Sequence, residues 1–167
     1  KPKFDKKKTL IPLASTVAAL GIALGVNEGM RQTPYYDSVG VLTVCEGITG
    51  PDVILDRTYS LLECRDLKNR YLEHMLATFG VCLTVPISQE EWLAYGHFGY
   101  NTGASTFCRK FAPLINSDKR YTACAKLAQY TFARGKDCKV RANNCYGIVK
   151  RRAFERSTCE EGVDGDF

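Results

Sequence analysis

Two carboxylates and a hydroxyl lie close together near the N-terminal end of the chain. They fall in the stretch Glu28-Gly29-Met30-Arg31-Gln32-Thr33-Pro34-Tyr35-Tyr36-Asp37-Ser38-Val39-Gly40-Val41-Leu42-Thr43. Hydrolysis of a glycosidic bond needs such a set: one carboxylic acid to protonate the departing oxygen, and a second polar group to fix or activate a water at the anomeric carbon. Two acids and a threonine are common in any sequence, and taken alone these types and this spacing favour a merely charged surface. Cys45, two residues beyond Thr43, makes a poor nucleophile, because neither His74 nor His97 has any sequence link to it. Both histidines sit in helical stretches and are expected to be packing or surface residues.

The elements around these residues follow from local signals. Tyr35 to Thr49 carries β-branched residues, glycines and polar punctuation and reads as a hairpin or small sheet. Ser60-Leu61-Leu62-Glu63 is a capping box that opens a helix through about Phe79, with Leu61, Cys64, Leu67, Tyr71, Leu72, Met75 and Leu76 near one face. Ser88-Gln89-Glu90-Glu91 opens another helix through about Asn101. Further helices are expected over about Phe107–Asn116, Tyr121–Arg134 (stopped by Gly135) and Gly147–Cys159. A helix, a small sheet and then a helical lobe make one compact α+β unit.

The chain has 167 residues, 45% hydrophobic and 25% charged, with a formal charge of +5. That excludes a disordered tail or a fibre. The charge is segregated. Residues 1–8 carry +4, residues 9–103 carry −5, residues 104–156 carry +10 (thirteen basic against three acidic), and the last eleven carry −4. Thr9 to Val26 is eighteen residues without a charge, directly after Lys6-Lys7-Lys8. That is about the ~18 at which a run becomes a membrane-spanning candidate, and the lysines would hold its first end in the cytoplasm. Alanines, glycines, threonines and Pro12 leave it weakly apolar. The preferred reading of residues 1–26 is a basic leader with a retained export anchor that later joins the fold. A buried core helix and a signal peptide cut near Ala23-Leu24-Gly25 are the alternatives. Residues 27–167 would form the catalytic domain, with the hairpin region at about 35–49 and the helical lobe at about 59–159.

The eight cysteines lack the close pairs that zinc ribbons need, so disulfides in an oxidising compartment are expected. No metal or cofactor is expected. Lysines and arginines interleaved with Phe107, Phe111, Tyr121, Tyr130 and Phe132 invite a nucleic-acid reading. No nucleic-acid motif accompanies them, however, and an anionic wall or membrane surface is the expected partner.

The order Glu28-x8-Asp37-x5-Thr43, followed by the glycine-containing stretch Thr43-Val44-Cys45-Glu46-Gly47-Ile48-Thr49, resembles the phage lysozymes of glycoside hydrolase family 24. So do Glu63-Cys64, Tyr100-Asn101-Thr102-Gly103, Ala123-Cys124, Ala133-Arg134-Gly135-Lys136 and Arg151-Arg152-x-x-Glu155-x-x-x-Cys159. The resemblance implies a lysozyme-like fold and an endolysin that hydrolyses the β-1,4 bond between N-acetylmuramic acid and N-acetylglucosamine, with inversion. It implies Glu28 as general acid, Asp37 as the second acid, Thr43 as the water-positioning hydroxyl, and Asn101 and Gly103 along the substrate groove, although capping a helix end suits those two equally. Arg151 or Arg152 would reach Glu28, unless they form a basic helix face. The leader resembles a signal-anchor-release segment. It implies transient inner-membrane association through residues 9–26, then release to the host periplasm as a monomer acting on peptidoglycan. By the same resemblance Cys45 pairs with Cys64 and Cys124 with Cys159. Proximity then pairs Cys138 with Cys145, and elimination leaves Cys82 with Cys108. A redox switch that re-pairs Cys45 on release is an alternative.

The chain departs from the family pattern at Glu46 and Ile48, where relatives often carry an aromatic or His and then a His. Glu46 is expected either to lie near substrate and raise the pKa of Glu28 by like charge, or to be a solvated strand residue. Two other functions stay open: a lytic transglycosylase, which would need no water-positioning pair, and a wall-binding module without catalysis.

Overall fold

The computed structural model describes residues 13–25, 30–37 and 40–165. The order is α1 (Leu13–Gly25), β1 (Arg31–Tyr36), β2 (Leu42–Cys45), β3 (Ile48–Thr49), α2 (Leu61–Cys82), α3 (Gln89–Thr102), α4 (Ala104–Lys110), α5 (Ala112–Asn116), α6 (Arg120–Leu127), β4 (Phe132–Ala133), β5 (Lys136–Asp137) and α7 (Tyr146–Asp164). This is the α+β arrangement read from the sequence: a first helix, a small antiparallel sheet in the order β1-β2-β3, then helices.

Both capping boxes form. Ser60 accepts from the Glu63 amide while the Glu63 carboxylate takes the Ser60 N–H, and Ser88 and Glu91 do the same for α3. The Ser60 bonds and the Arg57 guanidinium hold the Glu63 carboxyl below the usual carboxylate range. The 22 residues of α2 serve two cores. Its first turns give Cys64 and Leu67 to a small cluster with Val44, Cys45, Ile48, Val53 and Tyr59 under the sheet. Its later turns give Leu72, Met75, Leu76 and Phe79 to the main helical core. Tyr71 and Tyr100 meet edge to face at the seam, with centroids 5.4 Å apart.

The helix α1 is part of the main core. Val17, Leu20 and Leu24, at i, i+3 and i+7, are buried there, whereas Ile22 on the opposite face is 76% exposed. Leu20 lies directly over Gly96 of α3. A Cβ at Gly96 would come within 2.5 Å of Leu20 Cδ1, so the absence of a side chain there lets the two helices meet. Among the described residues no helix is long and apolar enough to cross a membrane, and α1 itself has 13 residues. Residues 9–12 and 26 of the uncharged run lie outside the described residues.

Four expectations are corrected. The helix expected over Phe107–Asn116 is two, α4 and α5, broken at Phe111. Pro113 has no N–H for the Arg109 carbonyl and its ring would clash there, so the helix restarts with proline in its first turn. The stretch Tyr121–Arg134 is helical only to Leu127, then turns into the β4–β5 hairpin. Arg134 and Gly135 both take positive φ, 49° and 75°, as a two-residue hairpin turn requires. The sheet begins at Arg31 instead of Tyr35. Leu61, expected on the buried face, is exposed because it sits in the first turn of α2, beyond both cores.

All eight cysteines are paired, as Cys45–Cys64, Cys82–Cys108, Cys124–Cys159 and Cys138–Cys145. The first ties the hairpin to α2, the second α2 to α4, and the third α6 to α7. The hydroxyl of buried Tyr95 points at the third, 3.2 Å from Cys159 Sγ. If α1 is a core element, Leu20→Ala should cost about 2–5 kcal/mol in denaturant unfolding. Ile22→Ala on the exposed face should stay within about 0.5 kcal/mol of wild type, and equal effects would contradict this packing.

Candidate active site

Asp37 directly follows β1 and closes the β1–β2 turn. Its N–H donates to the Val41 carbonyl at 2.9 Å, and its Oδ1 accepts the Val41 N–H at 2.9 Å. Gly40, at φ +80°, takes the left-handed step of that turn. Thr43 is buried on β2, opposite Tyr35 of β1 and Thr49 of β3. Opposed residues on antiparallel strands share a face, as do residues two apart on one strand. Asp37 therefore extends the face that carries Tyr35 and Thr43. Thr43 Oγ1 donates to the same Val41 carbonyl at 2.9 Å. A hydroxyl has one donor and two lone pairs. With the donor used on Val41, Thr43 retains acceptor capacity, the chemistry for taking an O–H from a water molecule. The backbone of Val41 thus fixes both side chains. Glu28, the expected acid, lies outside the described residues, between α1 and β1 in sequence.

Glu46 departs from the second of its expected settings. It stands in the β2–β3 turn with its carboxylate ion-paired to Lys68 Nζ of α2, and the two side chains are 12% and 7% exposed. It is not a solvated strand residue. An ammonium beside it offsets the like charge by which it was expected to act on Glu28. Ile48 is buried in the small core under the sheet.

Asn101 and Gly103 sit at the junction of α3 and α4. Asn101 Nδ2 donates to the His97 carbonyl at 3.0 Å, and its Oδ1 accepts from Arg151 Nη1 at 2.6 Å. Asn101 and Arg151 help line a cavity of about 490 Å³ with Tyr130, Phe132 and Ile148. Gly103, at φ +85°, is the cap between the helices, with its N–H on the Gly99 carbonyl at 2.7 Å. Asn101 thus lies in the last turn of α3 and in the cavity lining, and Gly103 caps the junction.

Arg152 also reaches that cavity but is itself buried. Its Nη1 lies 3.0 Å from Glu155 Oε2, and its guanidinium stacks 4.8 Å from the Phe98 ring centre. The other carboxylate oxygen of Glu155 meets His97 Nδ1 at 2.7 Å. Burial draws the guanidinium of Arg152 below its usual pKa, with Glu155 opposing the shift. His97 is thus a core residue held by a carboxylate, and His74 is exposed. Of the aromatics of the basic lobe, Phe107 and Phe111 are fully buried, whereas Tyr121 and Phe132 are exposed. Among the described residues, no group of three or more His, Cys, Asp or Glu could hold a metal ion.

Sequence reasoning passed over Lys68. The signal was a lysine within the apolar face of α2, between Cys64 and Leu67 on one side and Tyr71 and Leu72 on the other.

A family model described as phage lysozyme matches residues 26–155. The SAR-endolysin of bacteriophage PS119 is 38% identical over 137 residues, covering 79% of this chain and 75% of that protein. The chain belongs to the phage lysozyme family. That membership makes it a glycoside hydrolase of the muramidase type, an enzyme of peptidoglycan lysis. The SAR-endolysin of Escherichia phage Mu is 32% identical over 163 residues, covering 91% of this chain and 90% of that protein. Two solved structures agree in fold. The active form of the P1 phage endolysin Lyz matches with a TM-score of 0.67 at 17% identity, over 93% of this chain and 97% of that one. The muramidase domain of SpmX from Asticaccaulis excentricus matches with a TM-score of 0.68 at 17% identity, over 87% and 94%.

The His97–Glu155–Arg152 group joins α3 to α7 inside the lysozyme's helical lobe. Glu155→Ala would leave a buried guanidinium without its carboxylate, and a loss of about 3–5 kcal/mol is expected in urea unfolding. A loss below about 1 kcal/mol would mean that Arg152 draws its compensation from elsewhere.

Proposed function

We propose that the enzyme hydrolyses the β-1,4 bond between N-acetylmuramic acid and N-acetylglucosamine in one inverting step. Glu28 is the general acid, and Asp37 and Thr43 hold the attacking water. The observation that carries this reading is the shared fixation of Asp37 and Thr43 by the Val41 backbone. It gives one sheet face a carboxylate and a hydroxyl whose remaining hydrogen-bonding capacity is that of an acceptor. An inverting hydrolase needs its second carboxylate far enough from the acid to admit water, roughly 6.5–9.5 Å. A base on the hairpin and an acid reached from the first helix suit such a gap. Glu28 protonates the leaving oxygen, while Asp37 accepts a proton from the water that Thr43 orients. The cavity beside Asn101 and Arg151 offers amide and guanidinium groups to the glycan on the other side. The +10 of residues 104–156 favours an anionic polymer, through attraction more than specificity.

The site of action in this reading is the host periplasm, with residues 9–26 first resting in the inner membrane. The names of the relatives, SAR-endolysins, support this. So does the double character of the segment: weakly apolar in sequence, yet with one face, Val17, Leu20 and Leu24, that suits a protein core.

Three variants test the roles. Glu28→Gln should abolish release of reducing ends from purified peptidoglycan while leaving the unfolding midpoint near that of wild type. Thr43→Val keeps shape but removes the acceptor and should lower kcat by about 10²-fold, the upper scale for misplacing a reacting group. Asp37→Asn should fall in the same range as loss of a general base, about 10²–10⁴-fold. Products ending in an anhydro sugar would replace hydrolysis with transglycosylation, and a fully active Glu28→Gln enzyme would remove the acid from Glu28.

A further inference from the structure

Glu46 stands where the family pattern has another residue, and its surroundings are unusual for an acid in a tight turn. Its carboxylate and the Lys68 ammonium form a nearly enclosed pair. The same ammonium donates to the Gly21 carbonyl of α1 at 3.2 Å, one turn before that helix ends. From the opposite side, the Tyr100 hydroxyl of α3 donates to the Glu46 backbone carbonyl at 2.6 Å. The neighbouring Cys45 is tied to Cys64, one turn before Lys68 on α2. Four elements thus converge on one turn: α1, which leads in sequence to Glu28; the sheet, which carries Thr43 and runs into Asp37; α2; and α3, which carries Asn101 in its last turn.

The other contacts here are less selective about position. The apolar residues of α1 reach the main helical core, whereas the residues under the sheet form a separate cluster. The disulfide joins the sheet to α2 but not to α1. Lys68 bonds to both α1 and the β2–β3 turn through one nitrogen, so it couples the position of each to the other. An enclosed ion pair is a weak source of stability compared with apolar packing of the same volume. What it supplies is direction, since its hydrogen bonds weaken steeply as they bend or lengthen.

We propose that Lys68 is a positioning residue for this enzyme: its ammonium, held between the Glu46 carboxylate and the Gly21 carbonyl, sets the spacing between the helix that leads to the acid and the hairpin that holds the water. The inference rests on the roles given above to Glu28, Asp37 and Thr43. Lys68 touches no reacting atom.

The test is a cycle of Lys68→Met, Glu46→Gln and the double variant. It is read by kcat and KM on a soluble peptidoglycan fragment, by thermal unfolding, and by amide exchange in residues 17–25 and 42–49. In folded protein, Lys68→Met should lower kcat about 10-fold or more, with KM within about two-fold of wild type. The double variant should lose no more than Lys68→Met alone, as expected for two residues acting through one contact. Exchange should quicken in α1 and in the hairpin together. Unchanged kcat in a folded Lys68→Met enzyme overturns the proposal, and so do losses that simply add. A lower melting temperature with kcat intact assigns Lys68 to stability alone and overturns it too. If Lys68→Met does not fold, Glu46→Gln decides: a fall in kcat at constant KM supports the proposal, and wild-type kcat refutes it. A wild-type protein that releases no reducing ends, or an active Glu28→Gln, would count against the catalytic roles. The exchange measurement needs no substrate and still tests the coupling.

Discussion

The contact on which the rest of the structure depends is the seat of α1 against α2 and α3. Leu20 can reach the core only because Gly96 presents no side chain to it, and Val17 and Leu24 extend the same stripe. Full burial of such side chains contributes roughly 1.5–3 kcal/mol each. In a protein whose whole stability is of order 5–15 kcal/mol, three of them are decisive. The same helix leads in sequence to Glu28 and lends its Gly21 carbonyl to Lys68. Its packing therefore serves the main core and also fixes the carbonyl that Lys68 binds.

Around that helix the molecule uses three kinds of fastening. The four disulfides bind sheet to helix and helix to helix. The buried group of His97, Glu155 and Arg152 joins α3 to α7 through directional bonds in a region that apolar packing already holds. The Glu46–Lys68 pair adds a polar link at the seam between the sheet and the helices. The cross-links constrain the chain broadly. The charged groups constrain specific angles and distances, because their bonds weaken steeply as they bend or lengthen. In the β2–β3 turn this chain has a carboxylate, and a lysine on the facing helix answers it.

Much was legible in the sequence because it is local. Ser60 and Ser88 announced their helices through boxes that close within three residues, and both formed. Asp37 and Thr43 lie on one short hairpin, so their shared face follows from strand alternation. Pro113 broke a helix for reasons internal to one turn, and Arg134-Gly135 made a hairpin where the apolar spacing of Tyr121 to Arg134 had suggested a longer helix. In that last case the helix stops at Leu127, and the positive φ values of Arg134 and Gly135 then turn β4 back onto β5.

By itself the sequence determined the α+β order, the two capping boxes and the expectation of disulfides, since each rests on residue type and local pattern, and its resemblance to a family supplied the candidate acid, base and hydroxyl. Only the tertiary structure decided what surrounds the charges. It enclosed Glu46 with Lys68, put Arg152 on Glu155 and Phe98, gave Asn101 to Arg151, and laid Leu20 on Gly96. Apart from Arg152 and Glu155, three positions apart on one helix, these pairings join residues from twenty-two to seventy-six positions apart. Nothing in the chemistry of either partner alone says which other side chain will replace the water it gives up on burial.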